Sequence, residues 1–170
     1  MIQARIKRMC SFLLAYVILC FFFSLPGYSQ EKNSSDIDMI PRPVLETLNT
    51  KFPNAVISKW TKENEDSLII YDIEFEKDGL KLETDIKVDG TIHNWEKQIE
   101  LEEVPKPVKD AVEKKYPKYI PEEIMMITAI IDGKDVLEGY EIVLLTSDNK
   151  KVEVTVAPDG KILEDSGEDE

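Results

Sequence analysis

The residues best suited to chemistry are four acids in two neighbouring predicted strands. Asp72 and Glu74 alternate with apolar residues in one strand, and Glu83 and Asp85 do so in the next. Because successive side chains of a strand point to opposite faces, this alternation predicts that all four share one face of a hairpin. Paired carboxyl groups can perform acid–base chemistry, as in glycoside hydrolysis, but they need a cleft that tunes them differently. No pocket is indicated, so we expect a charged sheet surface.

Other catalytic and metal-binding groups are sparse. His93 is the only histidine, and neither Ser58 nor Ser67 lies in the sequence context of a serine nucleophile. Cys10 and Cys20 both lie within residues 1–29, which are predicted below to be a cleaved signal peptide, so the mature protein would have no cysteine. A zinc site would lack thiolate ligands, and no Asp-x-Asp-x-Asp calcium loop occurs, although oxygen ligands abound. The sequence therefore predicts a non-enzymatic protein without a cofactor or a defined metal site.

Three further residues are candidates for contacts with a partner. Trp60, His93 and Trp95 lie in predicted strands, and tryptophan is common both in cores and at binding hot spots. The alternation leaves open which face each of them occupies. The candidate partner-binding residues are therefore Trp60, Asp72, Glu74, Glu83, Asp85, His93 and Trp95.

An internal repeat organises the chain. IPRPVLETLNTKFPN at 40–54 is matched 64 positions later by VPKPVKDAVEKKYPK at 104–118. In each copy a proline suits the first helical turn, and an aromatic residue before a second proline ends the helix. Apolar residues at four-residue spacing form one stripe on each helix, which must cover another element. The stripes are Val44, Leu48 and Phe52, and Val108, Val112 and Tyr116.

Each predicted helix is followed by about four predicted strands separated by turn signals. The strands cover 55–62, 68–76, 80–88 and 91–97 in the first repeat, and 122–131, 137–146, 150–157 and 161–164 in the second. The turns lie at Asp78-Gly79, Asp89-Gly90, Asp132-Gly133, Asp148-Asn149 and Asp159-Gly160. The predicted fold class is α+β: two tandem repeats, each a short helix packed on one face of a roughly four-stranded antiparallel sheet.

The opposite face of each sheet is expected to be open. The segment 122–131 differs, since both its odd-numbered and its even-numbered positions carry apolar residues. This is typical of a strand that is covered on both faces. The neighbouring repeat is the simplest cover. The alternative is an exposed methionine-rich strip that binds a partner.

The N-terminal segment has the pattern of a secretory signal. Arg5, Lys7 and Arg8 precede an apolar run at 12–25, with small residues at Gly27 and Ser29. As a helix the run would reach about 21 Å, short of the ~30 Å hydrocarbon core. We predict a signal peptide at 1–29, a periplasmic or secreted product and no stable membrane span after cleavage. A retained anchor is the alternative.

Charge narrows the range of partners. Removing residues 1–29 takes three basic and no acidic residues from 21 and 34, which leaves a net charge of −16. Phosphate backbones need clusters of basic residues, so nucleic acid is excluded as a partner. A basic protein or a divalent cation fits better, although the charge also serves solubility. The acidic segments 63–66 and 164–170 are predicted to be solvated. The predicted domains are repeat 1 at 30–100, repeat 2 at 101–164 and an acidic tail at 165–170.

Together these motifs resemble a known family. The Pro-x-Pro-Val helix, the aromatic-Pro stop, Trp60, the Tyr-acid-Ile strand and the Asp-Gly turn resemble the PepSY-like proteins, which are related in fold to the beta-lactamase inhibitor proteins (BLIP-like). The resemblance implies a secreted or periplasmic protein that binds, and in some cases inhibits, a protein or peptide in the cell envelope through the open sheet. This chain departs from the inhibitors in lacking cysteines after residue 29. The alternative function is a divalent-cation or envelope-stress sensor.

Overall fold

The computed structural model describes residues 32–65 and 68–168, so the predicted signal peptide and residues 66–67 lie outside the described part of the chain. The α+β prediction is confirmed. The helices are α1 (Arg42–Lys51) and α2 (Lys106–Lys115), and short 3-10 turns lie at Ser34–Met39, Leu101–Glu103 and Ser166–Glu168. The strands are β1 (Lys32–Asn33), β2 (Val56–Glu65), β3 (Leu68–Lys77), β4 (Leu80–Lys87), β5 (Ile92–Gln98), β6 (Ile120–Ile131), β7 (Lys134–Leu145), β8 (Lys151–Val156) and β9 (Ile162–Asp165).

Both helices begin and end as the repeated prolines predict. Pro41 and Pro105 occupy the N-cap positions, with a second proline in the first turn of each helix. At the other end the backbone N–H of Phe52 donates to Leu48 O at 2.7 Å, and Tyr116 makes the same 2.7 Å bond to the residue four positions before it. The proline after each aromatic residue then prevents the helix from continuing.

The strands follow the chain order within the sheet, from β1 to β9. Antiparallel pairing joins β2 to β3, β3 to β4 and β4 to β5, and likewise β7 to β8 and β8 to β9. The turns fall where the Asp-Gly and Asp-Asn pairs predict them. Asp78 and Gly79, for example, both have positive φ, 54° and 77°, which a two-residue hairpin turn requires.

The chain forms two compact units. Among the described residues, the first contains 32–65, 68–98 and 126–138, and the second contains 99–125 and 139–168. In the first unit the stripe of α1 packs on the apolar faces of β2, β3 and β4. This core consists of Ile40, Val44, Leu48, Phe52, Trp60, Tyr71, Ile73, Phe75, Leu82 and Ile86.

The core of the second unit repeats this plan with smaller residues. Val108 and Val112 of α2 are fully buried, as are alternate residues of β7 and β8: Ile142, Leu144, Val154 and Val156. Complete burial of such a side chain contributes roughly 1.5–3 kcal/mol. Within residues 32–65 and 68–168, no helix has both the length and the apolar composition needed to cross a membrane.

Three details differ from the sequence prediction. β2 continues to Glu65, so Glu63 lies in a strand and not in a solvated loop. Asp165 is only 8% exposed, so the prediction that it is solvated is wrong. In the second repeat the face away from α2 is also buried at Val143, Glu153 and Thr155. In the first repeat the face away from α1 is buried at Thr61, Asn94 and Glu96 as well, and the acids between them are half-buried, so neither repeat has the fully open face that the sequence predicts.

Candidate functional site

Four acids form what we call the acidic face, which consists of Asp72, Glu74, Glu83 and Asp85. Asp72 of β3 lies directly opposite Asp85 of β4, and Glu74 lies directly opposite Glu83. The sequence prediction that they share one face is thus confirmed. All four residues are half-buried. Directly opposed like charges destabilise a sheet, by up to about 1 kcal/mol per pair. The arrangement therefore works against the stability of the hairpin.

The strands on either side extend this surface. On β2, Thr61 pairs with Asp72 in the register, and its hydroxyl donates to Asp72 Oδ2 at 3.4 Å. Lys59, also on β2, lies 3.4 Å from the carboxylate of Glu74. On β5, Glu96 lies opposite Glu83 and is buried. Lys59 therefore borders a surface that carries at least five carboxyl groups.

Burial changes the ionisation of two of these acids, Asp72 and Glu83. Burial and the neighbouring charge of Asp85 raise the pKa of Asp72 from its ordinary 3.8 to about 7. Burial, followed by the charge of Asp72, raises the pKa of Glu83 well above its ordinary value. A hydrogen bond joins these two carboxyl groups. Two carboxyl groups can form such a bond only when one of them carries a proton. In that bond Glu83 is the donor, because the bond raises its pKa and lowers that of Asp72.

Asp72 shows why this proton matters. Its Oδ1 atom is buried and receives no hydrogen bond from an amide, hydroxyl or ammonium donor among the described residues. A protonated Glu83 supplies a donor to the Asp72 carboxyl group, which a fully ionised pair would lack. A proton on Glu83 would thus offset both the repulsion between the carboxylates and the cost of burying an acceptor.

The two tryptophans lie on the other side of the sheet. Trp60 pairs with Ile73 in the register and is 3% exposed, with its ring 6.0 Å from that of Tyr71. Trp95 is half-buried, and its ring lies edge-on to Phe52 at 5.8 Å. Both therefore contribute to packing beneath α1, away from the acidic face.

Trp95 also belongs to a small polar cluster at the end of α1. The Nζ atom of Lys51 lies 2.6 Å from Asp135 Oδ1 and 5.9 Å from the centre of the Trp95 ring. The indole N–H of Trp95 donates to the same Asp135 oxygen at 3.4 Å. These contacts hold the start of β7 against the end of α1 and against Trp95 of β5.

His93 lies beside the bulge that shifts the register between β4 and β5. It is half-buried, and burial, reinforced by the charge of Lys87, lowers its pKa below the ordinary value of 6.5. His93 is therefore neutral at pH 7. The structure does not place it among the four acids.

Two other features of the structure bear on ligand binding. Among residues 32–65 and 68–168, no group of three or more His, Cys, Asp or Glu side chains is arranged to hold a metal ion. A cavity of about 280 Å³ lies at the end of α2, next to the β7–β8 turn, and contains none of the predicted site residues. Its Lys115 is already paired with Asp165, at 2.6 Å.

Sequence reasoning missed several polar residues near these sites. Thr61, Asn94 and Glu96 are buried, although their strands are only partly apolar. The alternation of Asn94 and Glu96 on β5 could have placed them beside Asp85 and Glu83, which they oppose in the register.

Solved structures show which proteins share this fold. The chain is similar to a protein from Bacteroides eggerthii provisionally described as periplasmic, with 17% identity and a TM-score of 0.60 over 74% of this chain and 87% of that one. A DUF2874 family protein from Bacteroides uniformis gives 16% identity and a TM-score of 0.58 over the same shares. A BLIP-like protein from Bacteroides fragilis gives 18% identity and 0.55 over 78% and 90%.

These similarities concern the fold. The chain has a BLIP-like fold, so the resemblance inferred from the repeated motifs is confirmed at that level. Comparisons with protein-family models and with curated proteins give no match.

Proposed function

We propose that this chain is an exported, non-enzymatic binding protein whose acidic face engages a basic region of a protein or peptide in the cell envelope. The observation that carries the proposal is the pair of direct oppositions, Asp72 with Asp85 and Glu74 with Glu83. Where a sheet keeps an arrangement that lowers its own stability, a functional role is the expected reason. A lysine or arginine side chain from a partner would replace repulsion by attraction.

Two further observations support export to the cell envelope and a non-enzymatic role. The N-terminal signal pattern and the periplasmic description of a structural relative support export to the envelope. The cavity at the end of α2 contains none of the four acids, so they do not line the enclosed cleft that glycoside hydrolysis needs. Binding through the sheet is also the function that the BLIP-like fold suggests.

The test compares two charge-matched double variants. Glu74→Gln with Asp85→Asn removes two charges from the acidic face, whereas Glu76→Gln with Glu102→Gln removes two from exposed positions. The probe is a fluorescent lysine-rich peptide, with a glutamate-rich peptide of equal length as its control. We expect the first variant to lose most of the binding and its salt dependence, and the second to retain both.

Capture from envelope extract gives the second readout. A natural partner should be retained by the native protein and by the exposed-charge variant, and lost with the acidic-face variant. Equal weakening in both variants would show that net charge alone attracts the peptide, and this would overturn a specific role for the acidic face.

A further inference from the structure

A pair of carboxyl groups recurs at equivalent positions in the two repeats. Asp72 and Glu83 correspond to Glu141 and Glu153, at offsets of 69 and 70. The same offsets relate Tyr71 to Tyr140 and the glycines of the last turns. Both pairs also occupy the same place in the sheet, one residue on each of the two middle strands of its repeat.

The register makes the equivalence geometric. Asp72 lies opposite Asp85, and Glu83 lies opposite Glu74, so Asp72 and Glu83 face each other diagonally. In the second repeat Glu141 lies opposite Thr155, and Glu153 lies opposite Val143, which gives the same diagonal. Diagonal neighbours on one face are within reach of long side chains. We call each of these a diagonal pair.

The surroundings of the two diagonal pairs have diverged. Glu74 and Asp85 of the first repeat are replaced at the equivalent positions by Val143 and Thr155. The repeats thus differ in the acids that flank the pair and agree in the pair itself. Each pair also contains a hydrogen bond between its carboxyl groups. Glu153 is 5% exposed, so the second pair is shielded from water.

Other charged groups also face the two diagonal pairs. Around the first pair they are Lys59 and Glu63 on β2, Glu74 on β3, Lys81 and Asp85 on β4, and Glu96 on β5. Around the second they are Glu123 on β6, Lys151 on β8 and Glu164 on β9. Acids outnumber lysines in both sets, so the surroundings favour retention of a proton.

We propose that each diagonal pair holds one shared proton and acts as a pH-sensitive joint between the two middle strands of its repeat. While the proton is present, a carboxyl group on one strand donates to a carboxylate on the other. When the proton leaves, two negative charges face each other across the strands, and the joint weakens. The diagonal pairs therefore make the free energy of unfolding larger in mildly acidic than in mildly alkaline conditions.

The direction follows from proton linkage. For a carboxyl group that binds a proton more tightly in the folded than in the unfolded chain, folding is favoured most at low pH. For Asp72 this contribution is complete below its ordinary value of 3.8 and is lost as the pH rises through about 7. The pair containing Glu153 changes in the same direction.

The test replaces the proton with a permanent donor. Glu83→Gln and Glu141→Gln each supply an N–H group where a protonated carboxyl group would donate, so both should mimic the acid form. Denaturant unfolding of the purified native protein should give a higher midpoint at pH 5 than at pH 8. Each variant should reduce this difference, and the double variant should reduce it further. Glu76→Gln, an exposed acid of β3, should leave it unchanged.

Two results would overturn the proposal. One is a double variant that keeps the native difference between pH 5 and pH 8. The other result comes from carbon NMR of the native protein, which follows each carboxyl group directly and does not depend on whether a variant folds. Titration of Asp72, Glu83 and Glu153 at ordinary carboxyl values would show that no proton is shared.

Discussion

The hydroxyl group of Tyr116 donates a 2.6 Å hydrogen bond to Oδ1 of Asp165. Phe52, which aligns with Tyr116 in the first repeat, instead packs edge-on against Trp95 at 5.8 Å. Trp95 aligns with Asp165 at the offset of 70 that relates the later strands of the repeats. The same position at the end of each helix is thus closed by an aromatic pair in one repeat and by a polar pair in the other.

Substitution of Tyr116 tests the polar pair. Tyr116→Phe keeps the ring and removes the donor, which leaves Asp165 Oδ1 with the backbone N–H of Gly167 at 2.9 Å. A hydrogen bond to a charged, buried group contributes about 2 kcal/mol, so we expect the free energy of unfolding to fall by about that amount. Urea unfolding measures it. The control is Tyr119→Phe, whose hydroxyl makes no hydrogen bond within the described part of the chain. Equal losses in the two variants would contradict the assignment.

The glycines of the last turn in each repeat should tolerate no side chain. Gly160 has φ of 88°, and a Cβ atom there would lie 2.6 Å from the carbonyl oxygen of Pro107. Gly90 has φ of 89°, with the corresponding distance to Pro43 O being 2.9 Å. Either glycine replaced by alanine should lose more than about 2 kcal/mol, since backbone strain and a steric clash add.

Gly79→Ala is the matched control for these variants. Its φ is 77°, but nothing lies within 4 Å of a Cβ atom there. It should lose only about 1–2 kcal/mol, the cost of a left-handed conformation. If Gly79→Ala and Gly160→Ala proved equally unstable in thermal unfolding, contact between turn and helix would not be the cause.

His93 should make a pH-dependent contribution of the opposite sign to the diagonal pairs. Because its pKa is lowered in the folded protein, the fold favours the neutral ring. Its contribution is present above the ordinary value of 6.5 and is lost as the pH falls below it. Comparison of native protein with His93→Gln at pH 7.5 and pH 5 isolates this effect, since both proteins keep the diagonal pairs. The variant should gain stability relative to the native protein at pH 5. A constant difference across this range would contradict the prediction.

Truncation should show that the first repeat needs a later part of the chain. The first compact unit includes 126–138, and Lys51 of α1 pairs with Asp135 in that segment. A fragment ending at residue 100 lacks both, so we expect a broad, weakly cooperative thermal transition. Circular dichroism would follow it, with the intact protein as the reference. A sharp two-state transition of the fragment would show that 126–138 contributes little.

The sequence predicted the elements whose signals are local. Pro43 and Pro107 specify helix starts through their own backbone geometry, and period-two alternation placed Asp72 and Glu83 on one face. Asp165 was misplaced because its burial depends on Tyr116, which is 49 positions away and belongs to no pattern that includes the acidic C-terminal residues.

Bulges explain why alternation could not place the tryptophans. Val56 and Trp60 have the same parity, yet Val56 is 68% exposed and Trp60 is 3% exposed. A register shift between Ile57 and Lys59 adds a residue to β2 and exchanges the two faces. The shift near His93 has the same effect on Trp95. The second diagonal pair, by contrast, could have been found by applying the offsets of 69 and 70 to Asp72 and Glu83.

Gly90 approaches Pro43 in the same way that Gly160 approaches Pro107. The two helices could therefore replace each other at this contact. Each helix presents the same proline carbonyl to a turn that lacks a side chain, so segments 40–54 and 104–118 could be exchanged without a clash at that contact. The exchange would remove the 2.8 Å contact from Thr47 Oγ1 to Gly90 O, because Ala111 aligns with Thr47, and the bond from Tyr116 to Asp165, because Phe52 aligns with Tyr116. Chimeric chains built this way would keep their backbone joints while recombining the side chains that distinguish the repeats.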